Sequence, residues 1–285
     1  MARDILKELE KNISDMTVSH KKVADYILKN PIEAAFSTID QLSQNVETST
    51  TTIVRLTHLF NYSGYTDFQR DLQESIKRMM SPSNRLEENF KNNNVHSNLL
   101  RDIVDIQMEN INITLNNIDE SLIKKTGILL SKANQIHISG SRSSYGVSHY
   151  LFFNLNRILG NCNLISAEGG ELAEKIYRIE EKDVVIVTSL SRYVKQVVTV
   201  AKIAKEKKAT VIAITDGFVS PLMNYSDIVF RIETKSPDFH NSIMSSMLVA
   251  ELFISVVAMK NPESARKVLL ETEEILKELD VHVNK

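Results

Sequence analysis

The sequence predicts an all-α N-terminal domain joined to an α/β domain whose mainly parallel five-stranded sheet is flanked by helices. Over the first 80 residues, apolar side chains recur at the spacing of short amphipathic helices. From residue 135 onward, short runs rich in β-branched residues alternate with helical patterns, which is typical of layered α/β folds. The predicted boundaries are 1–80 for the helical domain, 81–125 for a linker and connecting helix, 126–260 for the α/β domain, and 261–285 for a C-terminal helix.

The composition indicates a soluble globular protein with a cytoplasmic location. Of the 285 residues, 42% are apolar and 25% are charged, and the net charge of −2 gives no sign of nucleic-acid binding. No apolar segment approaches the roughly 20 residues of a membrane span, and the N-terminus lacks the apolar core of a signal peptide. The single cysteine, Cys162, excludes an internal disulfide and a cysteine zinc site, and the sequence implies neither a metal nor a cofactor.

Consecutive short helices fill the N-terminal domain. One of them ends at Asn30-Pro31, because proline disfavours helical geometry in the residue before it. The next begins after an N-cap at Ser37 or Thr38, where a hydroxyl can accept a hydrogen bond from a free backbone N–H. Asn61 is expected to adopt the left-handed conformation that follows a helix. The later helices of this domain are predicted at about 49–60 and 66–80.

The segment 81–97 is predicted to be a linker, because a turn-forming stretch at 81–84 is followed by the polar run 91–94. An amphipathic helix is predicted over about 99–115, and another over about 118–133. We expect the first of these helices to turn four apolar side chains toward the core. They are Ile103, Ile106, Ile111 and Leu115.

The α/β domain is predicted from apolar runs such as 184–187 and 211–214, which suit strands buried on both faces of a parallel sheet. The predicted strands are 135–140, 162–166, 184–189, 210–215 and 228–233. The predicted helices between and after them lie near 144–159, 169–178, 194–207, 220–226, 241–259 and 262–279. The long apolar helix at 241–259 is expected to be buried in the domain or to form a subunit interface.

Residues 38–60 fit a helix-turn-helix pattern, with Leu42 packing the first helix and residues 45–48 forming the turn. A recognition helix reads bases with its N-terminal residues, while hydroxyls and backbone amides bind phosphates. An arginine near its start suits guanine or a phosphate. The residues expected to contact DNA are Ser49, Thr50, Thr51, Thr52 and Arg55.

Other interpretations of this segment stay open. Runs of serine and threonine are common at helix N-caps, and three short helices occur in many folds. Residues 1–80 carry ten Lys/Arg side chains against eleven Asp/Glu, whereas DNA affinity usually needs a basic face. DNA binding therefore requires segregated charge, for which one arrangement places Lys21, Lys22, Arg55 and His58 on one side.

Two predicted strands run into serine-bearing turns, each followed by a helix. Such a turn presents free backbone N–H groups and the positive end of a helix dipole, and serine hydroxyls and an arginine add donors suited to a phosphate. Serines that only cap helices explain the same pattern. The expected ligand residues are Ser141, Arg142, Ser143 and Ser144 in the first turn and Ser189, Ser191 and Arg192 in the second.

The sequence gives less support to a dinucleotide site, a nucleotide site or a catalytic site. The first turn lacks the second glycine of a dinucleotide-binding loop, and the chain has no Gly-Lys-Ser/Thr loop for a nucleotide phosphate. An isomerase acting on a phosphosugar would need a general base, for which Glu168, Glu171 and His240 are the candidates. Contact with ligand hydroxyls or ordinary surface charge explains these three residues as well. We include Glu168 and His240 among the expected ligand contacts.

The segments 38–42, 49–56 and 62–68 resemble the N-terminal domain of the RpiR family of bacterial transcription regulators, which joins a helix-turn-helix domain to a sugar isomerase (SIS) domain. The second half is similar to a SIS domain through residues 139–144, Ile214-Thr215-Asp216 and Ser220-Pro221-Leu222. The resemblance covers nearly the whole chain. In many SIS domains the second turn reads Ser-x-Ser-Gly-x-Thr; here arginine and valine replace glycine and threonine.

The resemblance implies a regulator that binds operator DNA and senses a phosphosugar effector. SIS domains commonly dimerise, so it also implies a homodimer or a dimer of dimers, which matches the two-fold symmetry of many operators. The alternatives are an isomerase or lyase of SIS type with a helical appendage, and a sugar-phosphate-binding module that controls another protein. The resemblance favours a protein that is not an enzyme, because RpiR-like regulators often carry an arginine-tyrosine pair in the second turn, as here at Arg192 and Tyr193.

Overall fold

The computed structural model describes residues 4–79, 81–91, 98–166, 170–217, 220–260 and 262–281. The chain divides into two compact units, Met1–Asn94 and Val95–Lys285. The predicted fold class is confirmed: the first unit is all helical, and the second is an α/β unit with a five-stranded sheet in which all strands are parallel.

Seven α-helices are described in the first unit. They are α1 (Ile5–Asn12), α2 (Val18–Lys29), α3 (Pro31–Phe36), α4 (Ile39–Val46), α5 (Thr50–Leu59), α6 (Tyr65–Met79) and α7 (Pro82–Lys91). Two of them were not predicted. Both α3 and α7 begin with a proline, whose fixed φ and missing N–H suit the first helical position as well as they suit a break.

The core of the first unit lies between the helices α1 to α6. Its largest buried side chains include Leu42 from α4, Ile53 and Leu56 from α5, and Phe68 from α6. The Tyr62 ring meets the Phe68 ring edge-on, with 5.4 Å between the centroids. This packing presents the opposite face of α5, which carries the exposed Arg55, to solvent.

Polar side chains of α6 donate hydrogen bonds to the carbonyl groups at the end of α3. The last carbonyl groups of a helix lack partners inside the helix. The Tyr65 hydroxyl donates to the Ser37 carbonyl at 2.8 Å, Gln69 Nε2 donates to the same oxygen at 2.8 Å, and Gln73 Nε2 donates to the Ala35 carbonyl at 2.9 Å. Because these three residues are four apart, one stripe of α6 holds the end of α3.

The second unit contains a sheet with the strand order β2-β1-β3-β4-β5. The strands are β1 (Ile136–Gly140), β2 (Cys162–Ser166), β3 (Val184–Ser189), β4 (Thr210–Asp216) and β5 (Ile228–Ile232). The helices are α8 (Leu99–Asn116), α9 (Glu120–Lys132), α10 (Ser143–Leu159), α11 (Leu172–Tyr177), α12 (Lys195–Glu206), α13 (Met244–Lys260) and α14 (Pro262–Glu278). All five strands match their predicted positions to within about a residue.

Apolar side chains cover both faces of the sheet. One face packs against α9, α10 and α13, and the other packs against α11 and α12. Within the described ranges, no single helix is long and apolar enough to cross a membrane; α13 and α14 meet the requirement of length and composition only as a pair bent by 105°.

The predicted core face of α8 is wrong at Ile103 and Leu115, whereas Ile106 and Ile111 are half-buried. Ile103 and Leu115 are 36% and 44% exposed, whereas Asn110 and Thr114 are fully buried. These polar residues lie against the backbone that continues β5, the outermost strand. Asn110 Nδ2 donates to the Lys235 carbonyl at 2.8 Å, the Lys235 N–H donates to Asn110 Oδ1 at 3.2 Å, and the Glu233 N–H donates to the Thr114 hydroxyl at 2.9 Å. Hydrogen bonds to a sheet edge, rather than apolar contact, therefore fix which face of α8 points inward.

Candidate functional sites

The helix-turn-helix prediction corresponds to α4 and α5. A reciprocal pair of hydrogen bonds starts α4: the Gln41 N–H donates to the Thr38 hydroxyl at 3.2 Å, and the Thr38 N–H donates to Gln41 Oε1 at 2.8 Å. The helix ends at Val46, and Glu47 has a left-handed backbone with φ of 51°. The turn therefore comprises residues 47–49, which overlaps the predicted range of 45–48 at residues 47 and 48.

The five residues expected to contact DNA lie in the first turns of α5 or directly before it. Ser49 is the N-cap, since its hydroxyl accepts the Thr52 N–H at 3.1 Å and lies 2.9 Å from the Thr52 hydroxyl. Thr51 and Arg55 are exposed, and Thr50 is half-buried. The structure thus gives Ser49 and Thr52 a capping role and leaves Thr51 and Arg55 open to solvent.

Positive charge beside this helix comes from α2. Lys22 Nζ lies 3.3 Å from Glu47 Oε2, which links α2 to the turn between α4 and α5. Both side chains are largely exposed, so the ion pair contributes little to stability. His58 faces another partner, because its Nδ1 lies 3.0 Å from the Tyr62 carbonyl oxygen.

The first serine turn joins β1 to α10. Ser141 and Ser144 are buried, with the Ser144 N–H donating to the Ser141 carbonyl at 3.1 Å, while Arg142 and Ser143 are exposed. Glycine is needed at Gly140, because a Cβ there would lie 2.7 Å from the Ser144 carbonyl oxygen. The close approach of strand and helix keeps the N-terminal turn of α10 at the carboxyl edge of the sheet, where ligands bind in open α/β folds.

The second serine turn joins β3 to α12. Ser189 is buried, and its hydroxyl accepts the Val194 N–H at 3.3 Å. Ser191 is half-buried, and Asn241 Nδ2 donates to its carbonyl at 3.3 Å. Arg192 is exposed and has a left-handed backbone with φ of 72°. The turn therefore accommodates arginine where many SIS domains have glycine, at the cost of an unfavourable conformation.

A buried carboxylate organises this second turn, and sequence reasoning did not include it in the site. Asp216, the last residue of β4, is 6% exposed and accepts the Ser191 N–H at 2.9 Å. Its carboxylate also accepts the Ser191 hydroxyl and, at 3.4 Å, the Thr234 hydroxyl. An acid at the carboxyl end of a buried strand was the available signal, but the contact with the neighbouring turn is not visible in the sequence.

The remaining predicted residues lie on other segments. Glu168 falls outside the described residues. Glu171 precedes α11, is exposed, and lies 3.5 Å from Lys175 Nζ. His240 is exposed, and its Nε2 lies 3.5 Å from the Ser236 hydroxyl. Glu171 therefore pairs with a residue of α11, and His240 lies beside Ser236.

His137 and Cys162 lie in the interior of the second unit and have structural roles. His137 is buried, and its Nε2 lies 3.1 Å from Asp183 Oδ2, so it is a hydrogen-bonded histidine of the core. Burial raises the pKa of the Cys162 thiol to about 12. A thiol with so high a pKa is unreactive at neutral pH, in keeping with a structural cysteine.

Each of the two units matches a known protein family. Residues 3–79 match the family described as helix-turn-helix domain, rpiR family, and residues 129–258 match the SIS domain. An HTH-type transcriptional regulator from Thermotoga maritima is 27% identical over 255 residues, which are 89% of this chain and 90% of the relative.

Solved structures are similar over the same regions. The Vibrio vulnificus NanR protein complexed with ManNAc-6P has a TM-score of 0.65 and 24% identity, over 98% of this chain and 99% of that one. The sugar isomerase domain of an RpiR transcription factor from Sphaerobacter thermophilus has a TM-score of 0.60 and 25% identity, over 62% of this chain and 99% of that one.

Proposed function

Because the chain belongs to the RpiR family of transcription regulators, in which a helix-turn-helix domain precedes a SIS domain, we propose that it controls genes of sugar metabolism by binding operator DNA and sensing a phosphosugar. The observation that carries this proposal is the combination of α4 and α5 with serine turns at the carboxyl edge of a parallel sheet. A similar protein, NanR, was solved with a phosphosugar, ManNAc-6P, which supports the effector class.

DNA would be read by the exposed start of α5. Thr51 and Arg55 would contact bases or phosphates, Thr50 would add a hydroxyl, and the Ser49–Thr52 cap would direct the helix N-terminus toward a phosphate. The near-neutral charge of this unit implies few phosphate contacts and a modest salt dependence of binding.

The effector would lie along the carboxyl edge of the sheet. Ser141, Ser143 and Ser144, with the Arg142 guanidinium, would bind its phosphate at the start of α10. The sugar would extend toward the second turn at Ser189, Ser191 and Arg192, with His240 and Glu168 as outer contacts. This arrangement uses hydroxyl and guanidinium donors where a phosphate needs them.

We propose that the protein binds its effector without turning it over. The similar regulator from Thermotoga maritima supports a role in transcription. Glu171 is exposed and lies 3.5 Å from Lys175 Nζ, an ion pair that ordinary surface charge explains. Steady conversion of a phosphosugar, lost on changing Glu168 or Glu171 to glutamine, would favour an isomerase or lyase instead.

Self-association would place two reading helices on one operator. The exposed stripe of Leu100, Val104 and Met108 on α8 supports an interface between copies, because large apolar side chains at every fourth position are costly in water. Sedimentation of the purified chain is expected to show a dimer or a dimer of dimers. A monomer at micromolar concentration would contradict this part of the proposal.

The effector is tested first with a thermal-shift screen. Phosphosugars and their unphosphorylated parents are added to the full chain. An effector at about 100 times its dissociation constant stabilises the folded state by roughly 2.7 kcal/mol. We expect a shift with one phosphosugar and none with its parent. No shift with any phosphosugar would contradict effector binding.

DNA binding is tested on operator fragments selected from genomic DNA. Arg55→Ala is expected to weaken binding by about 1–3 kcal/mol, because a bidentate contact to guanine or a phosphate contact is lost. The matched control is Arg70→Ala on α6, which removes another exposed arginine, one that pairs with Asp67. Equal affinity of both variants would show that α5 does not read DNA in this way.

A further inference from the structure

The last helix, α14, carries an arginine, a leucine and a glutamate along one exposed stripe. Arg266, Leu270 and Glu273 are spaced four and three residues apart, so they lie on the same side of the helix, and all three are exposed. Another side of the helix is used inside the domain, since Ala265 is buried in the core and Leu269 packs against it. The exposed stripe is therefore available to a partner.

The stripe borders a groove between the end of α13 and α14, with a volume of about 360 Å³. Its lining is apolar except for Arg266 and Glu273. Neither of these two charged groups has an ion-pair partner among the described residues, whereas the neighbouring Lys267 pairs with Glu271 at 3.9 Å. Arg266 and Glu273 lie about 10 Å apart along the helix, which is too far for them to pair with each other. The groove thus offers one cation, one anion and an apolar surface.

A second α14 helix supplies the same three groups in the complementary order when it lies antiparallel to the first. Arg266 of one copy then lies opposite Glu273 of the other, and a two-fold axis repeats this contact, because such an interface uses the same patch twice. The axis passes midway between the two residues, beside Leu270, so the Leu270 side chains of the two copies meet between the ion pairs. A parallel pair of helices would instead place like charges against each other.

We infer that α14 forms an interface between two copies of this chain, in which reciprocal Arg266–Glu273 ion pairs flank a contact between the Leu270 side chains. The inference rests on the self-association proposed above and requires neither DNA nor effector. The surface is separate from the exposed stripe of α8. Two different two-fold interfaces on one chain generate a dimer of dimers.

Charge reversal tests the ion pairs, with the mass of the full chain measured by sedimentation at low salt. Arg266→Glu and Glu273→Arg each place two pairs of like charges at the contact, so each is expected to weaken association through α14 at least about tenfold. The double variant restores opposite charges across the axis and is expected to recover the association. The control is Lys202→Glu, which reverses an exposed cation on α12.

A cysteine at Leu270 tests the position of the axis without changing a charge. The chain has one cysteine, the buried Cys162, so Leu270→Cys adds a single exposed thiol. Mild oxidation is expected to give a disulfide-linked dimer, because the two copies of residue 270 meet at the axis. The control is Ile275→Cys, another exposed position on α14. Its two copies would be about 16 Å apart along the antiparallel helices, so no disulfide is expected.

The outcomes separate this interface from the one proposed on α8. Dissociation of the single-reversal variants to a dimer would support the α14 contact and leave α8 as the other interface. Dissociation to a monomer would also support the α14 contact, but would remove α8 from the assembly. Circular dichroism melts establish that each variant is folded.

Three results would overturn the inference. They are an unchanged mass in both single-reversal variants, a double variant that associates no better than the single variants, and equal disulfide yields for Leu270→Cys and Ile275→Cys. If the unmodified chain were a monomer, the inference and the proposed self-association would both fall. The proposed binding of DNA and of a phosphosugar would not depend on that result.

Discussion

At the scale of single residues, each of the two serine turns contains an arginine whose backbone conformation is unfavourable. Arg142 and Arg192 have φ values of 55° and 72°, in a region that side chains with a Cβ disfavour. Such conformations persist where the surrounding structure fixes them, and they concentrate at binding sites. Arg142 lies where the proposed phosphate would bind and Arg192 lies where the sugar would extend, so a contact with the effector explains why glycine is absent from both positions.

This strain predicts different effects on stability for two substitutions at Arg192. Arg192→Gly removes the penalty of the left-handed conformation and is expected to raise the free energy of unfolding by about 0.5–1 kcal/mol. Arg192→Ala keeps the penalty and is expected to leave stability nearly unchanged. Both should weaken effector binding alike, because both lose the guanidinium. Urea titration separates them, and equal stability of the two variants would mean that the turn is not strained.

Residue roles were predictable where they depend on local chemistry. The cap at Thr38, one of the two candidates, and the left-handed backbone of Asn61 follow from short-range rules and are confirmed. The role of Asp216 was not predictable, because its partner Ser191 is 25 residues away along the chain. A contact between two strand ends depends on strand order, which the sequence pattern leaves open.

At the scale of elements, α6 stabilises the end of α3 through a stripe of donors. Tyr65 is the most informative member, since its hydroxyl donates to the Ser37 carbonyl, and burial raises the pKa of this hydroxyl to about 12. In the unfolded chain the tyrosine pKa is about 10. The folded state therefore holds this proton more tightly than the unfolded state does.

The sign of the pH dependence follows from that difference. The contribution of Tyr65 to stability is complete below pH 10 and is lost progressively between about pH 10 and 12, where only the unfolded chain ionises. Tyr65→Phe is expected to lower the free energy of unfolding at pH 7 by about 1 kcal/mol and to flatten this alkaline decline. Melts from pH 7 to 11 measure it. Tyr177→Phe, an 80% exposed control, should change neither quantity.

Elements were predictable where periodicity and packing agree, as for the five buried strands. The pattern was insufficient in two places. Pro31 ends α2 and also begins α3, so a helix boundary was interpreted as a break. In α8, apolar residues occur on more than one side, and the inward face is chosen by hydrogen bonds from Asn110 and Thr114 to a distant backbone segment. Periodicity alone does not contain that information.

At the scale of the whole molecule, hydrogen bonds connect the proposed effector site to the first helix of the second unit. Asp216 accepts the Thr234 hydroxyl, and the next residue, Lys235, is bound on both backbone groups by Asn110 of α8. Ser242 adds a second link, because its hydroxyl donates to Gln107 Oε1 at 2.5 Å. We propose that effector binding shifts α8 and thereby the reading domain that precedes it in the chain.

Coupling through α8 predicts a variant that binds DNA and the effector but whose DNA affinity no longer depends on the effector. Asn110→Ala is expected to retain DNA and effector affinity measured separately, while the effect of the effector on DNA affinity falls severalfold. Fluorescence anisotropy with and without the effector measures this change. The control is Asn112→Ala, an exposed asparagine on the same helix. A normal response in Asn110→Ala would mean that the signal leaves by another route.

The pairing of Asn110 with Lys235 has a consequence for solubility. The edge strand of an open sheet presents free N–H and C=O groups that can form hydrogen bonds with a strand of another chain. Asn110 covers one such pair, and Thr114 covers the neighbouring N–H at Glu233. Without these hydrogen bonds, the sheet edges of two copies of the chain could pair with each other. Asn110→Ala should therefore aggregate on warming as well as lose its response to the effector.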